Sequence, residues 1–173
     1  MAFCHLSYTL YGMHSTAAQF ADRAREEYGF EPEVTEFPEG TKTAADAAAA
    51  IGCDVAQIGS SIVLVVDAGT DDEQVVVSVT SGANRVDTAT LAGLVGGETA
   101  RMAEPDEVKA ATGWSIGGVP PFAHERDLQV FVDETLQEFE TVWVAAGTPD
   151  AVFPVDPERL VELSGGTVAD VAD

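Results

Sequence analysis

At 173 residues the chain is long enough for one substantial core, and a second domain is not expected. Hydrophobic residues make up 46% of it, so the imbalance of 30 Asp and Glu against 8 Lys and Arg does not signal disorder. The resulting net charge of −22 argues against broad, backbone-driven nucleic-acid binding, which needs clustered cations, but leaves open recognition of a nucleic-acid end by a few local contacts.

Such acidity suits a cytoplasm at molar salt, where the Debye length falls to roughly 3 Å and repulsion between surface carboxylates is screened. A halophilic, acidic, cytoplasmic protein is therefore expected. Cys4 and Cys53 are too few for a disulfide scaffold, and with His5, His14 and His124 they show no metal-ligand spacing. No metal or cofactor is expected. With no eighteen-residue apolar run and no charged segment followed by a long apolar one at the start, neither a membrane-spanning nor a secreted protein is expected.

In chain order, residues 1–12 lack a clear period and read as an N-terminal extension, with Met13 as an alternative natural start and the domain proper over 13–173. Ser15 to Tyr28 is helical: Thr16 and Gln19 form a capping pair, Phe20, Ala24 and Tyr28 make one stripe, and Gly29 ends it. Glu31 to Phe37 alternates as a strand or extended connection. Thr43 caps a second, alanine-rich helix with Asp46 three residues on, and Gly52 closes it.

Ile62 to Val66 is the clearest strand, with β-branched residues that suggest burial on both faces. It forms a hairpin with Gln74 to Thr80 through the turn at 67–72. A short helix follows from Asp87 to Leu94, then a strand near Thr99 to Met102. Pro105 opens a helix stopped by Gly113. Strands are predicted at Leu128–Val132, Thr141–Ala145 and Ala151–Val155, with a helical turn after Asp133. A last helix opens at Asp156-Pro157 and runs to about Leu163. Six or seven short strands among five or six short helices, without regular βαβ alternation, predict an α+β domain with a mixed, strongly curved sheet.

Two stretches could carry chemistry. Lys42, one of two lysines in the chain, stands just ahead of a helix N-terminus, where a cation does nothing for the helix itself. It reads either as a solvated surface lysine or as a group that converges with the free helix N–H groups on an anionic or carbonyl oxygen. Thr112 to His124 holds Gly113, Gly117 and Gly118 and the pair Pro120-Pro121. This rigid loop can present the N–H groups of Gly117, Gly118 and Val119 to an oxygen, or simply form a structural turn. It is neither a P-loop nor a dinucleotide fingerprint, and Ser81, Ser115 and Cys53 sit in no nucleophile elbow. His124 reads as a cap or as a secondary candidate for substrate binding or proton transfer.

Residues Glu39–Ala48, Ser81–Asp87, Gly113–Phe122 and Val132–Leu136 together resemble the YbaK/ProX aminoacyl-tRNA deacylase family, which includes the editing domain of bacterial prolyl-tRNA synthetases. The motifs occur in the family's order, and the resemblance covers about Met13 to Asp170. It implies a single domain with a curved, barrel-like sheet that hydrolyses the ester of a small mischarged amino acid, Ala- or Cys-type, on tRNA, in trans. The implied partner is the 3′ terminal adenosine end of a mischarged aminoacyl-tRNA, with a tRNA synthetase as a further candidate. It maps the essential lysine onto Lys42 and the substrate loop onto Gly117, Gly118, Val119 and Pro120, and Asp133 onto a commonly retained acidic position. Thr43, Asn84 and His124 complete the expected substrate-binding set. Pro120 stands where some members carry Ser, and Ala123 where many carry Gly. The competing readings are a non-catalytic binding module of the same fold, and an esterase acting on another small acyl ester.

Overall fold

The computed structural model describes residues 15–37 and 43–172. Residues 1–14, which include the expected extension and Met13, lie outside the described residues, and so does Lys42.

The hairpin expected at the centre of the chain is the centre of the fold. Strand β2 (Ile58–Val66) and strand β3 (Gln74–Ser81) pair antiparallel from Gly59↔Ser81 to Val66↔Gln74. Period-2 alternation sends Val63 and Val65 into one core, which also holds Phe20, Val79, Phe122 and Phe153. Leu64 and Val66 enter a second core on the other face, with Val76, Leu91 and Phe131. Burial on both faces explains why this strand reads as a continuous β-branched run.

The sheet spreads outward in the order β1-β7-β6-β2-β3-β5-β8, with β4 on β2. Its outer strands are β1 (Thr35–Glu36), β4 (Ala100–Met102), β5 (Gln129–Asp133), β6 (Val142–Ala145), β7 (Ala151–Val155) and β8 (Thr167–Ala169). The β2–β6, β3–β5 and β5–β8 pairs are parallel and the others antiparallel, so the sheet is mixed as well as curved. Strand β2 starts at Ile58, four residues ahead of the expected run, and β8 follows Gly165-Gly166 where no strand was expected.

Among the described residues, five α-helices surround the sheet: α1 (Ser15–Tyr28), α2 (Ala44–Ile51), α3 (Thr88–Leu94), α4 (Pro105–Thr112) and α5 (Pro157–Ser164). The local signals explain their ends. Thr43 Oγ1 accepts the Asp46 N–H at 3.1 Å to start α2, and Gly52 ends it at φ 88. Asp156 Oδ1 accepts the Glu158 N–H at 2.7 Å to start α5. The α1 helix already includes Thr16, so the pair with Gln19 lies inside its first turn rather than at its cap. It buries Phe20 against Phe153, with ring centroids 5.2 Å apart, and Tyr28 against Phe122 at 4.8 Å. That aromatic cluster fixes the end of the Gly/Pro loop to the core, where aromatic pairs add about 0.5–1.5 kcal/mol each beyond area burial.

Candidate functional site

One edge of β2 faces two partners. Ile58 and Gly59 pair with β6, while Leu64 to Val66 pair with β4, and Ala103 N–H closes on the Val63 carbonyl at 2.9 Å. Between them Ser60, Ser61 and Ile62 have no paired residue on this edge among the described strands. A cavity of about 300 Å³ opens at this gap.

Several sequence-distant segments enclose it. Thr43, Ala44 and Ala47 come from the start of α2, Gly117 and Val119 from the Gly/Pro loop, and Ser60, Ser61 and Val63 from β2. Val63, Val108, Val119 and Val144 form buried apolar walls, whereas Met102 and Ile116 are about half exposed (49% and 53%) and frame the mouth. The described lining contains no titratable side chain. Arg101, next to Met102, is held by a bidentate pair to Glu107 at 2.8 and 3.0 Å. Hydrogen bonding to that guanidinium draws the Glu107 carboxyl down to about 2.

Of the expected site residues, Thr43, Gly117 and Val119 are brought together here. Lys42 directly precedes Thr43 in the sequence but lies outside the described residues. Gly118 has a different part from Gly117. Its N–H donates to the Ser115 carbonyl at 3.0 Å, and a Cβ on it would stand 2.6 Å from Thr148 Cα. It is the point where the loop presses on the backbone after β6, and its N–H is occupied. Among the described residues, the Gly117 and Val119 N–H groups meet no acceptor.

Pro120 and His124 brace the loop outside the cavity lining. His124 Nε2 lies 2.7 Å from the Pro120 carbonyl, so Nε2 is the protonated nitrogen of the neutral ring and donates there. Burial pushes the imidazole below the ordinary histidine value; the Pro120 bond opposes that shift and Arg23 adds to it. Ala123, in the position where glycine is common, has φ 66 in the left-handed region. Its N–H donates to the Tyr28 hydroxyl at 3.1 Å and its carbonyl accepts from Trp114 Nε1 at 2.9 Å. Those two bonds hold a residue with a Cβ in a conformation that costs about 1–2 kcal/mol.

Asn84 and Asp133 also stand outside the lining. Asp133, 1% exposed, accepts the Ser81 N–H at 3.0 Å, the Asn84 amide at 2.9 Å and the Thr135 N–H at 3.0 Å. This knot ties the end of β3 to the end of β5 and caps the 3₁₀ turn Glu134–Glu138. Sequence reasoning missed Ser61, Met102, Val108 and Pro149 as lining residues. A serine inside a strand facing an apolar core was the one local signal available.

Among the described residues, no group of three or more His, Cys, Asp and Glu is placed to hold a metal ion. No described helix is long and apolar enough to cross a membrane.

Residues 38–163 match the family model described as "Aminoacyl-tRNA editing domain". The chain is 34% identical over 134 residues to the Bacillus subtilis (strain 168) "Uncharacterized protein YwhH", covering 78% of this chain and 82% of that one. It is 26% identical over 96 residues to "Putative Cys-tRNA(Pro)/Cys-tRNA(Cys) deacylase EbsC" of Enterococcus faecalis (strain ATCC 700802 / V583), covering 56% of this chain and 58% of the other. In structure it is similar to "a putative trans-editing enzyme for prolyl tRNA synthetase", with a TM-score of 0.83, 40% identity, and coverage of 92% of this chain and 99% of that one.

Proposed function

Since the chain belongs to the aminoacyl-tRNA editing-domain family, we propose that it is a deacylase that acts in trans, hydrolysing the ester between a small mischarged amino acid, Ala- or Cys-type, and the 3′ terminal adenosine of tRNA. The observation that carries this reading is the shared cavity: the capped start of α2 and the Gly117–Val119 loop face one small, apolar space. The likeness to proteins whose names describe trans-editing and Cys-tRNA deacylation supports hydrolysis over other acyl chemistry.

In this reading the aminoacyl side chain enters between Val63, Val108, Val119 and Val144. The scissile carbonyl lies near Gly117 and Val119, whose N–H groups stabilise the oxyanion that forms when water attacks. Gly118 sets the loop's position rather than donating. Lys42 holds a phosphate or ribose-side oxygen of the terminal nucleotide, and Pro120 and His124 keep the loop rigid. The described lining offers no general base, so positioning of water and the vicinal ribose hydroxyl supply the rate. A thiol-bearing substrate would supply its own nucleophile.

That missing base is also what favours the second reading, a module that binds aminoacyl-tRNA without turning it over. Hydrolysis across a panel of mischarged tRNAs in high salt separates the two. Deacylation of a small aminoacyl-tRNA, reduced on the order of a hundredfold in Lys42→Ala with the fold unchanged, is the expected result. Activity equal to wild type in that variant defeats the lysine's role, and no turnover on any ester leaves the binding module.

A further inference from the structure

We propose that the unpaired main-chain carbonyls of Ser61 and Ala145, facing each other across the gap between β2 and β6, form the subsite that takes the α-ammonium group of the bound ester. The chain thus selects esters of free amino acids and spares those whose nitrogen is acylated, as at the end of a growing peptide. The inference rests on the deacylase reading for the identity of the ester, and the contact itself can be measured without turnover.

Strand alternation decides which main-chain groups reach the gap. The Gly82 N–H donates to the Ile58 carbonyl at 2.7 Å, so Ile58, Ser60 and Ile62 turn their main-chain groups towards β3. Gly59, Ser61 and Val63 turn theirs to the opposite edge, where the Ala103 N–H meets the Val63 carbonyl. Neither neighbouring ladder reaches Ser61 there. Carried on past Leu64↔Met102, the β4 register would set Pro105 opposite Ser61, and proline has no N–H to give. Carried on past Gly59↔Val144, the parallel β6 register would bring the Ser61 N–H to the Ala145 carbonyl, but the pairing stops at Gly59. Strand β6 ends at Ala145, and the chain turns back towards β7 with the Ala146 N–H on the Ala151 carbonyl at 2.9 Å. The carbonyls of Ser61 and Ala145 are therefore left without a donor among the described residues.

Both residues line the cavity and both are half-buried. The Ser61 hydroxyl oxygen is itself buried and out of a ligand's reach, so this residue meets the cavity with its main chain and Cβ. Nearly all main-chain carbonyls removed from water have a partner, and two without one at a single gap make a place for a donor. An aminoacyl ester brings that donor. Its ammonium carries three N–H bonds and a charge, and the described lining holds no carboxylate to meet it. Main-chain oxygens are the acceptors that remain, and charge strengthens such bonds about twofold. Only the α-carbon separates the nitrogen from the ester carbonyl. A carbonyl held at Gly117 and Val119 thus keeps the ammonium within the same cavity of about 300 Å³. Acylation removes the charge, leaves one N–H and adds bulk where the strands close in. A site built for hydrogen bonds to one group discriminates strongly against analogues without it.

The probes are non-hydrolysable amides of 3′-deoxy-3′-aminoadenosine with alanine, with propionate, which lacks only the amine, and with N-acetylalanine. In mildly acidic, high-salt buffer, calorimetric Kd values should favour the alanyl amide by about tenfold over each of the others. The carbonyl-carbon NMR shifts of Ser61 and Ala145 should move with the alanyl amide and stay in place with the propionyl amide. Equal affinity for those two ligands overturns the proposal. So does a preference without the two carbonyl shifts, because the ammonium is then read elsewhere, and so does binding of none of the amides. Turnover separates this inference from the reading beneath it. If the protein hydrolyses no mischarged tRNA yet shows the preference and the shifts, the inference stands and the deacylase reading falls. If it cleaves alanyl-tRNA and N-acetylalanyl-tRNA with equal kcat/KM, the deacylase reading stands and the inference falls.

Discussion

Gly118 and Thr148 touch backbone to backbone: a Cβ added to Gly118 would stand 2.6 Å from Thr148 Cα and 2.7 Å from its carbonyl carbon. Neither atom belongs to a flexible side chain that could swing aside. Gly118→Ala must therefore lift the loop from the chain that follows β6. Overpacking of this kind costs about 1–3 kcal/mol, and the displaced N–H groups of Gly117 and Val119 should lose the carbonyl. Chemical unfolding and deacylation assays should register both losses. Wild-type values in the two assays would refute the backbone contact.

His124 should make stability depend on pH. Burial lowers its folded pKa below the unfolded value of about 6.5. As pH falls through that unfolded value, the unfolded chain takes up a proton that the folded chain still refuses, so stability declines. The decline ends once pH drops below the folded pKa and both states are charged. Above the unfolded value the term vanishes. Denaturant midpoints should fall less between pH 7 and pH 5 for His124→Gln than for wild type, and parallel curves would remove His124 as the cause.

Asp133 is expected to act on stability rather than on substrate affinity. Removing its carboxylate leaves the buried Ser81 N–H without its acceptor and the half-buried Asn84 amide with only its bond to the Thr135 hydroxyl. Asp133→Ala should lower unfolding free energy by about 2–4 kcal/mol. For Asn84→Ala, which removes one of the three donors to that carboxylate, a smaller loss of about 1 kcal/mol is expected. Measurement of KM per folded molecule checks the assignment: a large rise in KM with wild-type stability would place these residues at the substrate.

The net charge of −22 should make the fold salt-dependent. Raising KCl from 0.1 M to 2 M shortens the Debye length from about 10 Å to below 3 Å and screens carboxylate repulsion. A rise in Tm of more than about 10 °C is expected for a chain built for molar salt. An unchanged Tm across that range would assign the acidity another cause.

The sequence made most element types legible because their ends are written locally. Thr43 with Asp46, Asp156 with Pro157, and Gly52, Gly113 and Gly165 at left-handed positions each act within a few residues. Strand β8 was hidden because three residues after a diglycine carry little pattern, and its pairing with β5 spans more than thirty residues of chain. The candidate site was half legible for a related reason. Gly117 and Val119 announce themselves through loop composition, but Asn84 and Asp133 are polar for the sake of a buried knot, which local sequence cannot distinguish from a binding role. The gap at Ser60–Ile62 exists only because β4 and β6 both stop short of it, and that is a property of three strands together.

The split edge of β2 also bears on how such a pocket can diversify. Part of its floor is a short run of one central strand, held at both ends by neighbours that need not change. Replacing a single floor side chain alters what fits below while the loop above keeps its grip on the backbone at Thr148. In the proposed reading β2 shapes part of the acyl group's space while the Gly/Pro loop positions its carbonyl, so selection can retune that part of the floor without rebuilding the loop.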